Sequence, residues 1–239
     1  MHVSVPRSSG FQPLYFSILL LTLALASAGF VMKTVGGWIE YASAEASWTT
    51  DETLVPLIVG DYSFNVPANM IRHANQRVPG RRLEHLDLGI LWPGMTGYRK
   101  DLAEAFTDTG LRSATIYMTV EHRPRADGMS ERLETVYKRL AREPAYPGPA
   151  GLMVLPMASS SRMGEDQVLY EPIADGGFVA RCYTPDNHTI APFCNREVRL
   201  ARDLVMTYRF RKTLLRNWGR LEHQVMDLVR SLHGVGNPL

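Results

Sequence analysis

Leu14–Met32, LYFSILLLTLALASAGFVM, lies inside a run from Ser8 to Met32 that holds no charged residue. A helix rising ~1.5 Å per residue needs about 20 residues to cross the ~30 Å hydrocarbon core of a bilayer, so this run is long enough to span one. A helix packed on a water-soluble domain keeps a polar face, and this stretch is apolar all round. Two readings of it stay open. Arg7 with the amino terminus makes a weak basic region, Leu14–Ala26 an apolar core, and Ala26-Ser27-Ala28 the small-x-small pattern of a cleaved secretory signal. Against cleavage, the apolar run continues through Phe30, Val31 and Met32, past what an export core needs. Orientation by positive charge sets Arg7 and the amino terminus against Lys33, which is close to a tie. Anchor or signal, either device exports the rest of the chain.

The expected layout is therefore a cytoplasmic N-terminus over 1–10, a transmembrane helix over 11–32, a juxtamembrane linker over 33–52 and an exported domain over 53–239. Trp38 and Tyr41 stand where aromatic rings favour the water–lipid boundary, whereas Trp48 fits equally well packed on the domain. The chain is 45% apolar and 21% charged, which is the profile of a folded body. Its formal charge of +2 is too small to argue for nucleic acid, which selects concentrated Lys and Arg. Basic and acidic residues interleave except in two local clusters, Arg72–Arg82 and Arg209–Arg216.

From Leu54 the pattern turns β-like. Leu54–Val59, the turn Gly60-Asp61 and Tyr62–Val66 read as a hairpin, with Pro56 pointing to an edge or a bulge. Leu86, Leu88, Ile90 and Trp92 alternate with Asp87 and Gly89, and Ile116, Met118 and Val120 alternate with threonines and Tyr117, giving two half-buried strands. Leu102–Phe106 suits a helical turn. Ser130 is placed to cap a helix whose stripe is Leu133, Val136, Tyr137 and Leu140, and Gly151–Leu155 reads as a short buried strand. Ala158–Asp166 has loop composition. Phe178–Tyr183, Phe193–Leu200 and Leu204–Arg211 are three further strands. Asn217 then caps a helix with the apolar face Trp218, Leu221, Val225, Leu228, Val229 and Leu232, ended by Gly234. The predicted class is α+β: an N-terminal transmembrane helix, then a mostly antiparallel β domain with two covering helices.

Cys182 and Cys194 fall on the two arms of one hairpin. Neighbouring antiparallel strands bring Cα atoms to ~4.5–5.5 Å, within reach of a disulfide, and an exported domain with an even cysteine count suits pairing. Two buried free thiols are the alternative. Their spacing excludes a CxxC redox site.

Chemistry-bearing patterns are sparse. Ser159, Ser160 and Ser161 lie in loop sequence without a G-x-S-x-G setting. His85 and Asp87 share one strand face and could form an acid–base pair, although a solvated face explains them as well. The remaining histidines have no metal-ligand spacing, and no glycine-rich strand-to-helix loop cradles phosphate, so neither cofactor nor metal is expected. Arg72, Arg81 and Arg82 near a turn, with Trp92 and Tyr98 in an aromatic loop, are the candidate partner surface, set against solubilising arginines and structural packing of the rings.

The blocks NVPANMIR, RLEHLDLGILWPGMTGY, GFVARCY, APFCNREVRL and MTYRF resemble an uncharacterised membrane-anchored periplasmic protein family of alphaproteobacteria, over nearly the whole chain. The resemblance implies an inner-membrane anchor, a periplasmic domain and Cys182 paired with Cys194. It carries no activity, cofactor or catalytic residue. The expectation is a single-pass inner-membrane protein whose periplasmic domain binds or scaffolds another envelope protein, leaning away from catalysis. A membrane-tethered envelope hydrolase using His85 and Asp87, and an accessory subunit of a larger membrane complex, are the alternatives.

Overall fold

The computed structural model describes residues 15–27, 29, 47–124, 127–158, 165–173, 177–186 and 190–234. Two units divide the chain, Met1–Glu45 and Ala46–Leu239. In the first, residues 15–27 form helix α1 with exposed side chains. Among the described residues no helix is long and apolar enough to cross a membrane. Residues 11–14, 28 and 30–32 of the expected span lie outside the described ones, as do Trp38 and Tyr41 of the expected collar.

In the second unit the alternating segments become strands. β1 (Leu54–Val59) and β2 (Tyr62–Pro67) form the hairpin, turning at Gly60, whose φ of +61° only glycine adopts without strain. β1 is not the edge that Pro56 suggested. The two-residue β3 (Arg82–Leu83) joins it in parallel, giving the order β2-β1-β3. The proline is tolerated because β3 pairs only with Ile58 and Val59, leaving the ring nitrogen beside the loop that ends at Gly80, whose N–H donates to the Pro56 carbonyl at 2.7 Å.

The main sheet has eight strands in the order β4-β5-β11-β10-β9-β8-β7-β6, with every pair antiparallel. Its members are β4 (His85–Leu91), β5 (Thr115–His122), β6 (Tyr146–Pro147), β7 (Met153–Pro156), β8 (Glu165–Tyr170), β9 (Val179–Thr184), β10 (Phe193–Ala201) and β11 (Leu204–Arg211). The short helix α2 (Ala103–Thr107) leads into β5, and α3 (Trp218–Leu232) follows β11.

One face of this sheet is the core. Leu86, Leu88 and Ile90 of β4, Ile116, Met118 and Val120 of β5, and Met206, Tyr208 and Phe210 of β11 are all 1% exposed or less. Leu221, Val225 and Val229 of α3 and the inner residues of β1 and β2 close over them. Burying an aliphatic or aromatic side chain of this size contributes roughly 1.5–3 kcal/mol. α3 stops where His233 turns extended, bridges Phe64, and Gly234 donates its N–H to the Ser63 carbonyl at 2.8 Å. Asn217 precedes α3 but makes no side-chain cap bond.

The reverse face carries a second, smaller core. Met129, Leu133 and Tyr137 pack on Leu155, Val168, Tyr170 and Val179. The α-helix expected from Ser130 is instead a π turn (Leu133–Tyr137) followed by a 3-10 turn (Lys138–Leu140), with Leu140 56% exposed. Tertiary bonds at both ends outrank the local propensity. The Ser130 hydroxyl donates to the Gly177 carbonyl at 2.7 Å rather than capping a helix, and the Ala158 N–H donates to the Leu140 carbonyl at 3.0 Å. β8, which the loop composition of residues 158–166 hid, is buried on both faces, so its side chains do not alternate.

Cys182 and Cys194 are register partners across β9 and β10, with Cα atoms 4.0 Å apart and a disulfide between them. Both side chains lie in the main core. Next to them, Arg196 of β10 reaches α3, donating to both Glu222 oxygens at 2.8 Å, and the Tyr208 hydroxyl donates to the same carboxylate.

Candidate functional site

The sheet face opposite α3 is where polar chemistry accumulates, because period two sends every other residue of β5, β11, β10 and β9 outward. Cross-strand register aligns Gly89, Tyr117, Arg209, Asn195 and Arg181 in one row. A second row runs through Arg211, Phe193, Tyr183 and Asp166. Two covers lie over this face. The segment carrying Met129, Leu133 and Tyr137 sits over β7, β8 and β9. At the β4 side, Trp48 stacks on Tyr98 at 5.6 Å and meets the edge of Phe106 at 4.8 Å. Its ring lies so close to Gly89 that a Cβ there would collide with it.

The strip between the covers alternates guanidinium groups and rings. Arg72 lies 4.6 Å over Tyr117 and Arg209 lies 3.7 Å over Phe193. Phe193 is 5.3 Å from Tyr183, and Arg181 lies 5.4 Å over Tyr183. Each such stack contributes about 0.5–1 kcal/mol at an exposed site and holds a long side chain flat. The charges are compensated unequally. Arg181 is paired through its Nε with the buried Asp166 at 2.9 Å, and that bond raises its pKa above the ordinary value. Among the described residues Arg209 makes no hydrogen bond or ion pair, and the buried Nε of Arg72 finds no partner. Burial lowers the Arg209 pKa, and the like charges of Arg211 and Arg72 lower it further. Arg211 donates to the carbonyls of Ala191 at 3.1 Å and Thr109 at 2.7 Å.

The structure distributes the candidate partner residues over four places. Arg72 belongs to the strip. Arg81 donates to the Asn75 carbonyl at 2.8 Å, and Arg82 donates to the Gly60 carbonyl beside Asp61. Trp92 packs on the α3 side, with Arg220 5.8 Å over its ring, and Tyr98 stacks under Trp48. The strip residues Tyr117, Arg181, Tyr183, Phe193 and Arg209 were not among the sequence candidates. Their signal was present as Arg and aromatic residues at the outward positions of strands whose inward positions are apolar.

His85 and Asp87 do come together, and His73 joins them. Asp87 Oδ2 is 3.3 Å from His85 Nε2 and 3.8 Å from His73 Nε2, and its other oxygen accepts the Thr119 hydroxyl at 2.7 Å. Gln76 binds both the Asp87 carboxylate, at 3.3 Å, and its backbone N–H, at 3.0 Å. In a nucleophile relay an imidazole stands between acid and hydroxyl. Here the carboxylate stands between two imidazoles and a hydroxyl, which is the geometry of a latch holding the 71–78 turn onto β4. Among the described residues no group of three or more His, Cys, Asp or Glu could hold a metal ion. Ser159, Ser160 and Ser161 lie outside the described residues.

No family model matches the chain, and no curated protein matches it. Two solved structures are similar to it in fold. One is an immunity protein of the Stenotrophomonas maltophilia type IV secretion system, with a TM-score of 0.54 at 16% identity, covering 77% of this chain and 94% of that one. The other is the iron-regulated outer membrane lipoprotein FrpD of Neisseria meningitidis, with a TM-score of 0.50 at 11% identity, covering 79% and 96%. At these identities the likeness extends to the β-rich α+β fold of the domain.

Proposed function

We propose that this chain is a single-pass inner-membrane protein of the membrane-anchored family that its sequence blocks resemble, and that its periplasmic β domain binds another protein in the manner of an immunity protein. The uncharged run from Ser8 to Met32 supports the anchor, and the Cys182–Cys194 disulfide supports an oxidising compartment. The fold shared with an immunity protein and with an outer membrane lipoprotein supports an envelope role of the binding kind. One observation carries the reading: the strip between Trp48 and the 129–141 segment, where exposed Arg209 and half-buried Arg72 and Arg181 lie over rings, two of which, Phe193 and Tyr183, are themselves buried. Arg, Tyr and Trp dominate the energetic centres of protein interfaces because they offer large contact area with few rotamers to freeze.

The test is recovery of the tagged full-length chain from its own cells in mild detergent, beside a chain carrying Arg72→Ala and Arg209→Ala. Wild type brings down a stoichiometric partner and the double variant loses it by more than about tenfold. Recovery of the wild-type chain alone at native abundance, or a reporter behind Leu239 active only in the cytoplasm, overturns the proposal.

A further inference from the structure

Within the strip is a cavity of about 180 Å³ whose lining includes Asp108, Thr115, Tyr117, Phe193, Arg209 and Arg211. Small-molecule pockets run to about 300–1,000 Å³, so this one is too small for a cofactor and suits one side chain. We propose that the cavity receives a single aspartate or glutamate side chain of a partner protein, its carboxylate held between the guanidinium groups of Arg209 and Arg211. The proposal rests on the protein-binding reading above and names the chemistry that the partner brings.

Charge complementarity is the first argument. Arg211 and Arg72 both act on Arg209 as like charges. Asp108 is the one carboxylate among the described lining residues, and it is exposed, with its Oδ1 accepting the Gly110 N–H at 2.7 Å. The site thus holds an excess of positive charge that an incoming carboxylate relieves. Geometry is the second argument. A guanidinium lying flat on a ring keeps its N–H edge free in the plane of the group, and that edge matches a carboxylate through two parallel bonds. Arg209, 3.7 Å from the Phe193 centroid, is close enough to stack in this way, and its side chain has no competing partner among the described residues. Preorganisation is the third. Arg211 is fixed by two loop carbonyls before anything binds, so little side-chain entropy remains to be lost. The rings of Phe193 and Tyr117 exclude water from the carboxylate once it is seated, which strengthens the ion pair.

The experiment places a photo-crosslinking residue at Leu111, 57% exposed in the loop between Thr109 and Ser113, in the full-length chain within the cells that make it. The expected result is a protein adduct whose attached peptide contains Asp or Glu. Arg209→Glu lowers its yield more than about tenfold, and Arg209→Lys, which keeps the charge without the fork, falls between. Arg209 gives up only its stack on Phe193, so the melting temperature falls by no more than about 4 °C while the adduct is lost. Arg211 also ties two loops, so Arg211→Gln serves as the second variant, judged only where its melting temperature is retained. An adduct undiminished by Arg209→Glu overturns this inference and leaves the binding reading standing. No protein adduct from Leu111 or from a second probe at Thr207 overturns both.

Discussion

Tyr208 has no exposed surface, and its hydroxyl donates to the carboxylate that also takes both arms of Arg196. Burial pushes its phenol well above the ordinary value, and the Glu222 charge adds to the shift. An unfolded tyrosine releases its proton near pH ~10, while folded Tyr208 keeps it to higher pH. Above pH ~10 the folded state therefore binds more protons, and stability present below that pH is lost as pH rises toward the folded value. Lys212 acts with the opposite sign in a lower window. Burial lowers its ammonium pKa, so its contribution grows as pH climbs toward the unfolded lysine value of ~10.4. Tyr208→Phe is expected to cost about 1 kcal/mol at neutral pH and to flatten the alkaline fall by about 1 kcal/mol per pH unit. Urea unfolding between about pH 7 and 11 measures both, and an unchanged alkaline slope refutes the assignment. Glu222→Ala is the harsher change. It strands a guanidinium whose side chain is 5% exposed, costing about 3 kcal/mol or more by the same measurement. A loss below about 1 kcal/mol would mean that water reaches Arg196.

The β9–β10 hairpin joins sequence legibility to stability at the scale of the element. Its strands pair over only three residues, Arg181–Tyr183 against Phe193–Asn195, so hydrogen bonds alone hold it weakly. The disulfide closes a loop of sequence separation 12, which by chain entropy stabilises by about 3 kcal/mol. A chain with Cys182→Ala and Cys194→Ala is expected to lose about 2–3 kcal/mol in urea unfolding. Dithiothreitol should lower the wild-type midpoint and leave that of the variant unmoved. The hairpin is readable from sequence because two runs of strand-forming residues flank a connection marked by Pro185 and Pro192. So are β4, β5, β11 and α3, for each has one face in the core and one in water or under a polar cover. β8 was not readable, because Val168, Leu169 and Tyr170 are all buried and no period survives. The 130–140 segment carries the stripe of an α-helix yet folds otherwise, because the bonds that reshape it come from Gly177 and residues near 157, far along the chain. The strip was half legible. Arg209 and Arg211 stand out as outward residues of β11, but only the register of β10 and β5 puts Phe193 and Tyr117 beside them.

For the whole domain, the two cores on opposite faces of one sheet predict two levels of cooperativity. The larger core ties both sheets to α3, so its strands should open only when the domain unfolds. β5, β10 and β11 are paired with a strand on each side over part or all of their length. The smaller core is held by a segment of π and 3-10 turns, with few backbone bonds to the sheet: Met129 to Glu197, Arg142 to Pro156 and Ala158 to Leu140. Its polar fastening is Glu197, which takes Arg132 on one oxygen and Arg123, at 3.0 Å, on the other. Native-state hydrogen exchange should show amides of residues 129–141 exchanging through a local opening whose free energy lies below the global value and changes little with denaturant. Glu197→Gln weakens that fastening and should speed exchange in 129–141 while leaving β5 and β11 slow. Removing the disulfide should do the reverse, speeding the global process and sparing the local one, since Cys182 and Cys194 lie in the larger core. Exchange of 129–141 at the global rate in all three proteins would show that the segment is welded to the sheet. It would then be a fixed wall of the strip rather than a part that opens before the rest.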